Sequence, residues 1–298
     1  MMTVQARSSL IPLLVAFAGI AVFSLMDALM KRAAIATGVY TALLLRCAIG
    51  AAGMAPVWLA RKGRWPRRPV LRLHVWRAVL VAGMATSFFW GLVRTPMAEG
   101  MALSFISPLI ALALAALFLG ERIRRSAILA SLMGLAGVAI IAATRLSAGS
   151  PSPDRALGLA AILLSAVFYA GNLVLQRRQA QVASPVEVAL FQNAIVALVL
   201  LPALPWLWQL PGRAALIDIA LAALLASAAL VLLSWAYARA EAQELLPVEY
   251  TAFGWAALMG WLWFDEPVHE ATLIGVCLIV AGCLVATRSS RRSPPDSA

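Results

Sequence analysis

Ten stretches of predominantly apolar residues follow one another along this chain, each close to the roughly 20 residues an α-helix needs to cross a bilayer's hydrocarbon. They run Leu10–Met30, Val39–Ala60, Val75–Val93, Ala98–Leu119, Ser126–Thr144, Leu157–Leu175, Val186–Trp208, Ala214–Tyr237, Leu245–Phe264 and Ala271–Thr287. None shows the period-two alternation of a membrane strand, and all are rich in Leu and Ala, so the predicted fold is an all-α integral membrane protein. Only 12% of residues are charged, against about 25% in soluble domains, which makes the lipid bilayer the first partner. The longest connectors, Arg61–His74 and Arg145–Ala156, leave no room for a soluble domain. Leu10–Met30 exceeds a signal-peptide core and opens a train of spans, so it reads as a retained helix.

A shift of 145 residues lays the sequence on itself. Trp90 meets Trp235, Arg94 meets Arg239, Glu99 meets Glu244, Ala111 meets Ala256, Glu121 meets Glu266 and Gly137 meets Gly282 without a gap. Only 8 of those 48 positions are identical, but Trp, Arg and Glu coincide by chance less often than Ala or Leu. Upstream, Phe23 meets Phe168, Asp27 meets Asn172 and Arg32 meets Arg177, and one extra residue then carries Pro56 to Pro202. Each copy holds five spans, and an odd number leaves the second copy upside down in the membrane. The predicted architecture is therefore ten transmembrane helices as a 5+5 inverted-topology repeat. Its parts are a first five-helix repeat over 1–145, an extracytoplasmic connector over 146–156, a second repeat over 157–288 and a cytoplasmic tail over 289–298.

Basic residues test this orientation, because they accumulate on the cytoplasmic side. With both termini inside, the cytoplasmic segments hold sixteen Lys and Arg and the opposite side six, while Arg46 and Arg77 lie within spans. That bias agrees with the inverted repeat and accounts for the net charge of +11 without nucleic acid. Cys47, Cys277 and Cys283 lie inside spans without ligand spacing, so neither a disulfide nor a metal site is expected, and no cofactor is implied. His74 and His269 fall at opposite faces, which leaves no nucleophile, base or paired-acid constellation for an enzyme.

Several residues carry a resemblance. The motif Leu119-Gly120-Glu121 closes the fourth span and its copy Phe264-Asp265-Glu266 closes the ninth. Ala136-Gly137 and Ala281-Gly282 follow, and Pro108 and Leu45-Arg46 also fit. This pattern resembles the EamA branch of the drug/metabolite transporter superfamily, and within it YddG-like bacterial amino-acid exporters. The second copy departs by placing Phe253 opposite Pro108 and Gln192 near the position of Arg46. The resemblance implies an inner-membrane carrier that exports small metabolites, foremost hydrophobic or aromatic amino acids, by alternating access through a cavity between the repeats. Other small metabolites or cationic drugs are the alternative; a membrane-embedded enzyme or a sensor fits less well. The short connectors offer no signalling surface, and a monomer suffices for the function.

An ionisable side chain in mid-span costs at least about 2.5–3.5 kcal/mol and is a functional candidate by default. Asp27 and Arg46 lie at depths that let them meet in a salt bridge, as a gate or as a fixed clamp between helices. Their repeat-mates Asn172 and Gln192 or Asn193 would form an uncharged version at the other face. Glu249 offers a counter-charge for a substrate ammonium, a proton carrier, or a helix cap among the headgroups. The expected substrate lining is Met84, Ser87, Phe88, Ser104, Phe105, Pro108, Phe168, Tyr169, Tyr250 and Thr251, an apolar wall with a few hydroxyls that suits a hydrophobic or aromatic side chain. Pro108 would also free backbone carbonyls in mid-span. Trp58, Trp65, Trp76, Trp206, Trp208 and Trp263 fit an interfacial belt, while Trp90 and Trp235 fit either belt or vestibule. Ala111 with Ala115 and Ala256 with Gly260 form small-residue seams for packing the fourth and ninth helices.

Overall fold

The computed structural model describes residues 10–104 and 153–266, with a few isolated positions between 107 and 136 and between 274 and 278. The described chain forms α1 (Leu10–Thr37), α2 (Val39–Ala60), α3 (Arg68–Leu92), α4 (Met97–Ser104), α5 (Pro153–Val182), α6 (Pro185–Leu200), α7 (Arg213–Tyr237), α8 (Ala242–Glu249) and α9 (Thr251–Phe264). No strand occurs among the described residues. Six of these segments are long and apolar enough to cross a membrane: α1, α2, α3, Ala156–Val182, Pro185–Leu207 and α7. The expected spans Ser126–Thr144 and Ala271–Thr287, most of Ala98–Leu119, and the seam residues Ala111 and Ala115 lie outside the described residues.

The surface is inside out relative to a soluble protein. Leu14, Leu59 and Leu224 are each more than 60% exposed, whereas Asp27, Arg46, Arg77, Asn172 and Glu249 are buried. Such a periphery is stable only against lipid, because an apolar patch of this extent would aggregate in water. Trp65, Trp76 and Trp206 are the most exposed tryptophans, in keeping with a headgroup belt.

The helices repeat the sequence period. α3 and α7 are each 25 residues long and begin 145 residues apart, at Arg68 and Arg213. α4 and α8 are each 8 residues, from Met97 and Ala242. The extra residue of the second copy falls between its first two helices, where Ala183 and Ser184 replace the single linker Gly38. Gly38 takes φ 76°, a left-handed conformation that a side chain would disfavour. Ser184 instead caps α6, its hydroxyl accepting from the Glu187 N–H at 3.2 Å. Each copy also ends its third helix alike. Arg94 lies 3.6 Å from the centre of the Trp90 ring and donates to the Trp90 carbonyl; Arg239 does the same over Trp235 at 4.1 Å.

Packing interlocks the copies. α1 runs along α7, α3 along α5, and the repeat-mates α2 and α6 lie against each other. α2 and α6 are antiparallel: Tyr40 donates to the Leu200 carbonyl at one end, and Gly50 faces Asn193 further on. α3 and α5 touch backbone to backbone, since a Cβ on Gly91 would sit 2.5 Å from the Gly158 carbonyl oxygen. One apolar cluster, with Met26, Met30, Leu43, Leu92, Ile219 and Phe253, fills the end of the bundle where α1 finishes. A second, with Ile20, Leu173, Leu233, Tyr237 and Val248, fills the end where α1 begins. Ala256 and Gly260 are buried in α9, which packs on α4.

Several helices differ from their sequence limits: α5 runs on to Val182, seven residues beyond Leu175, α6 stops at Leu200, and the expected span Leu245–Phe264 is divided between α8 and α9. α1 continues seven residues beyond Met30, because Lys31 is buried and its ammonium is held by protein acceptors. α3 begins at Arg68 instead of Val75, with Pro69 in its first turn. His74 thereby belongs to a helix and is buried, whereas the sequence places it in a connector.

Candidate functional site

Polar residues on α5 recur at helical spacing: Ser165, Tyr169, Asn172, Gln176 and Gln179 follow at steps of four, three, four and three, which puts them on one face. The first four of them line a cavity of about 130 Å³ between the two apolar clusters. α1 presents the mates of three of them, Ile20, Ser24 and Asp27, to the same cavity. Arg46 and Gln192, Ala85 and Leu230, Phe88 and Leu233, and Ser104 and Glu249 complete the paired lining. Corresponding residues of both copies therefore line the void. Its apolar part is Val81, Met84, Phe88, Phe89 and Met101.

The charged residues of the cavity are held very differently. Glu249 ends α8 and accepts from the Tyr169 hydroxyl at 2.6 Å and from the Tyr237 hydroxyl at 3.1 Å. Arg77 is fully buried and donates to three amides: Nε to Asn172 Oδ1 at 2.9 Å, Nη2 to Gln176 Oε1 at 2.8 Å, and Nη1 to Gln179 Oε1. The Gln179 amide meets His74 Nδ1 at 2.6 Å, and His74 Nε2 faces Glu187 Oε1 at 3.1 Å, so a polar chain leads from the cavity toward the end where α1 begins. His74 stacks on Phe191 with ring centres 4.9 Å apart. Arg46 has poorer partners, Met26 Sδ at 3.8 Å and Cys47 Sγ at 3.3 Å, and its Nε has none.

At the end where α1 finishes, polar contacts bind the two copies together. The Lys31 ammonium donates to the Thr95 carbonyl at 3.0 Å and to Glu266 Oε1 at 3.3 Å, 4.7 Å from the Phe264 ring centre. The Glu266 carboxylate also accepts from the Met97 N–H, at 2.9 and 3.1 Å, and so caps the start of α4. Asp265 makes this reach possible by taking φ 51°, which turns Glu266 back so that its N–H meets the Gly260 carbonyl at 3.1 Å. Arg32 grips Asp218 through both Nε, at 2.6 Å, and Nη2.

Of the residues singled out from sequence, Asp27, Arg46, Met84, Phe88, Ser104, Tyr169, Asn172, Gln192 and Glu249 line the cavity. Ser87 and Phe168 do not; they face a separate open groove with Trp90, and Ser87 donates to its own helix at the Gly83 carbonyl. Both lie one position off the cavity face of their helices, beside Phe88 and Tyr169. Tyr250 is buried in an apolar cluster, and Thr251 donates to the Val248 carbonyl at 2.7 Å; neither lines the void. Phe105 and Pro108 lie outside the described residues. No ion pair joins Asp27 to Arg46, whose Nη atoms turn to sulfur instead. The uncharged counterpart does not form either: Asn172 accepts from Arg77, and Asn193 donates to the Ala189 carbonyl at 3.0 Å.

Sequence reasoning did not place Arg77, Ser24, Gln176, Gln179, Tyr237 and His74 in the site. For Arg77 the signal was partial: the sequence puts it within a span, as it does Arg46, but only three residues into Val75–Val93, and it is the start of α3 at Arg68 that makes it interior. The polar stripe on α5 was legible at i, i+4, i+7 and i+11. Tyr237 and His74 reach the site through tertiary packing alone.

A bundle of lipid-facing helices around a buried, charged cavity defines a multi-pass membrane transporter, and the comparisons with known proteins agree. The EamA-like transporter family model matches twice, over residues 10–143 and 156–288, so the chain belongs to that family. It is 29% identical over 282 residues to a pseudopaline exporter of Pseudomonas aeruginosa, covering 90% of this chain and 93% of the relative. It is 24% identical over 224 residues to an S-adenosylmethionine uptake transporter of Rickettsia bellii, covering 74% of each chain. A riboflavin transporter of Rhizobium johnstonii is 28% identical over 226 residues, covering 74% of this chain and 71% of the relative. A solved crystal structure shares the fold with a TM-score of 0.77 at 26% identity, over 94% of this chain and 98% of the other. The protein is a transporter, not an enzyme. These relatives support the family without singling out a YddG-like exporter.

Proposed function

We propose that the protein is an inner-membrane exporter of small zwitterionic metabolites, foremost amino acids with hydrophobic or aromatic side chains, working by alternating access. The observation that carries this reading is the charge set of the cavity: two carboxyls, Asp27 and Glu249, and two guanidiniums, Arg46 and Arg77, beside Met84, Phe88 and Phe89. Equal numbers of acids and cations suit a ligand that is itself zwitterionic, and the aromatic wall suits its side chain. At about 130 Å³ the void is smaller than the range of about 300–1,000 Å³ for drug-sized ligands, which favours a small substrate. Other small metabolites or cationic drugs are the second reading. For a purely cationic ligand, two guanidiniums in the site would be a cost.

The antiparallel packing of the repeat-mates α2 and α6 supports a 5+5 inverted repeat of ten spans, with both termini cytoplasmic by the basic-residue bias. Exchange of the two copies' conformations then opens the cavity to each side in turn. With that orientation, the Lys31–Glu266 and Arg32–Asp218 contacts close the extracytoplasmic end. The test is counterflow in proteoliposomes against a panel of amino acids, nucleosides and cationic drugs. Amino acids are expected to exchange and compete best; binding without counterflow overturns the carrier reading, and preference for nucleosides or drugs overturns the substrate class.

A further inference from the structure

We infer that Arg46, with Ser24 and Gln192, forms a carboxylate-binding subsite in the cavity, the anchor for the substrate's acid group. This inference rests on the carrier reading and specifies its substrate contact. A guanidinium carries five N–H donors and stays protonated in proteins. Buried in a membrane bundle, it needs oxygen acceptors or a counter-charge. Arg77 has that in full, from three amide oxygens. Arg46, in the same cavity and 7% exposed, has two sulfurs, which are weak acceptors, and an Nε with no partner.

Two neighbours share the deficit. Ser24 Oγ and Gln192 Oε1 are buried without a hydrogen-bond partner, and both residues line the cavity with Arg46. Three unsatisfied polar side chains on α1, α2 and α6 are a rare arrangement in a folded interior, where almost every buried polar atom is paired. Asp27 is near enough for its charge to act on Arg46, but it gives the guanidinium no hydrogen bond and no ion pair, so the N–H donors stay open to a ligand. The ligand that satisfies all three is a carboxylate: its oxygens accept from the guanidinium, from the Ser24 hydroxyl, and from the Gln192 amide once rotated to present Nε2. A carboxylate seated there leaves the ammonium of an amino acid free to turn toward Asp27, with Met84 and Phe88 available to its side chain.

The position of Arg46 explains why only one copy carries the charge. Its mate across the α2–α6 contact is Gln192, so the anchor draws on both copies and is built from one cation and one amide. A carboxylate held by both copies stays bound as the halves exchange shapes, and a second cation there would hold it too firmly to leave.

The test uses the purified full chain, thermal unfolding in detergent for binding, and counterflow in proteoliposomes. The probes are L-phenylalanine, phenethylamine, which lacks the carboxylate, and 3-phenylpropionate, which lacks the ammonium. Arg46→Met is expected to weaken binding of L-phenylalanine and 3-phenylpropionate roughly 10- to 100-fold, the size of a charge-assisted hydrogen bond. Phenethylamine should bind it no worse than wild type. Because the substitution removes a buried guanidinium that has no oxygen acceptor, the ligand-free variant should unfold no earlier than wild type, which separates lost binding from lost fold. Gln192→Leu should weaken the two carboxylates severalfold and spare phenethylamine. Arg46→Met that binds and exchanges L-phenylalanine within twofold of wild type overturns the anchor and leaves the carrier reading standing. A wild-type protein that exchanges nucleosides or drugs but binds neither carboxylate overturns both the anchor and the amino-acid reading.

Discussion

The contact between Lys31 and Glu266 should hold the transporter closed at one end, and its removal should be readable as accessibility. At 3.3 Å, with side chains 7% and 13% exposed, the pair attracts with about 5 kcal/mol at an effective dielectric constant of about 20. Desolvation of the two charges offsets more than half of this, leaving about 2 kcal/mol, in line with other hydrogen-bonded charge pairs. The pair joins α1 to the turn after α9, and Glu266 also caps α4, so it can exist only while that end is shut. Glu266→Gln keeps an oxygen for the Met97 N–H and removes the charge. It should therefore raise the open population about 30-fold without unravelling α4. The assay places a cysteine at Met101, which lines the cavity, in a chain with Cys47, Cys277 and Cys283 replaced by Ala. A membrane-impermeant thiol reagent is then added from the side opposite the N-terminus. Lys31→Met should accelerate labelling to a similar extent, and the double variant should add little to either single one. Labelling rates that stay at the parent value in both single variants, or effects that simply multiply in the double variant, would refute the latch.

Other residues give equally direct tests. Arg77→Met leaves the Asn172, Gln176 and Gln179 oxygens without their donor and should cost roughly 3 kcal/mol in unfolding free energy, measured by denaturation in lipid–detergent micelles. An unchanged midpoint would contradict the role given to that hub. Gly91→Ala forces a Cβ to within 2.5 Å of the Gly158 carbonyl oxygen and should lower the melting temperature, by about 1–3 kcal/mol of strain, while Gly53→Ala, with nothing within 4 Å, should not. Asp27→Asn should weaken L-phenylalanine and phenethylamine about 10-fold and spare 3-phenylpropionate. Glu249→Gln should weaken them less in the same binding assay, because the Glu249 oxygens are already engaged by Tyr169 and Tyr237.

What the sequence made legible follows from what hydropathy can measure. The limits Val39–Ala60 coincide with α2 because both ends of that apolar run meet turn-forming residues, Gly38 and the Arg61–Gly63 segment. Hydropathy stops α1 at Met30 because it treats Lys31 as a residue for water. The fold treats it as an interior one, with its ammonium over the Phe264 ring and bonded to Thr95 and Glu266. Arg46 and Asp27 both line the cavity, but a similar depth on neighbouring helices does not fix the direction of a long side chain. Arg46 turned to Met26 and Cys47. Ser87 and Phe168 failed for a related reason: a step of one residue rotates a helix by about 100°, enough to move a side chain from the cavity to the outer groove.

The repeat makes the cavity intelligible in a way neither copy does alone. Two identical halves would give a symmetric void with matched charges, and inversion would return the same site to each side of the membrane. Here the scaffold keeps that symmetry: α3 and α7 have the same length, Arg94 and Arg239 lie alike over Trp90 and Trp235, and the lining comes in mates. The chemistry breaks it. Asp27 stands opposite Asn172, Arg46 opposite Gln192, and Glu249 opposite Ser104, each pair one charged residue and one neutral. Three of the four cavity charges therefore have a polar, uncharged mate in the other copy; the fourth, Arg77, has Ala222 as its mate. An ionised group on both sides would repel its mate in a low-dielectric interior, where two unit charges a few ångströms apart interact by several kcal/mol. On the proposed reading, divergence of the copies is what lets a paired frame hold a ligand that has a positive end and a negative one.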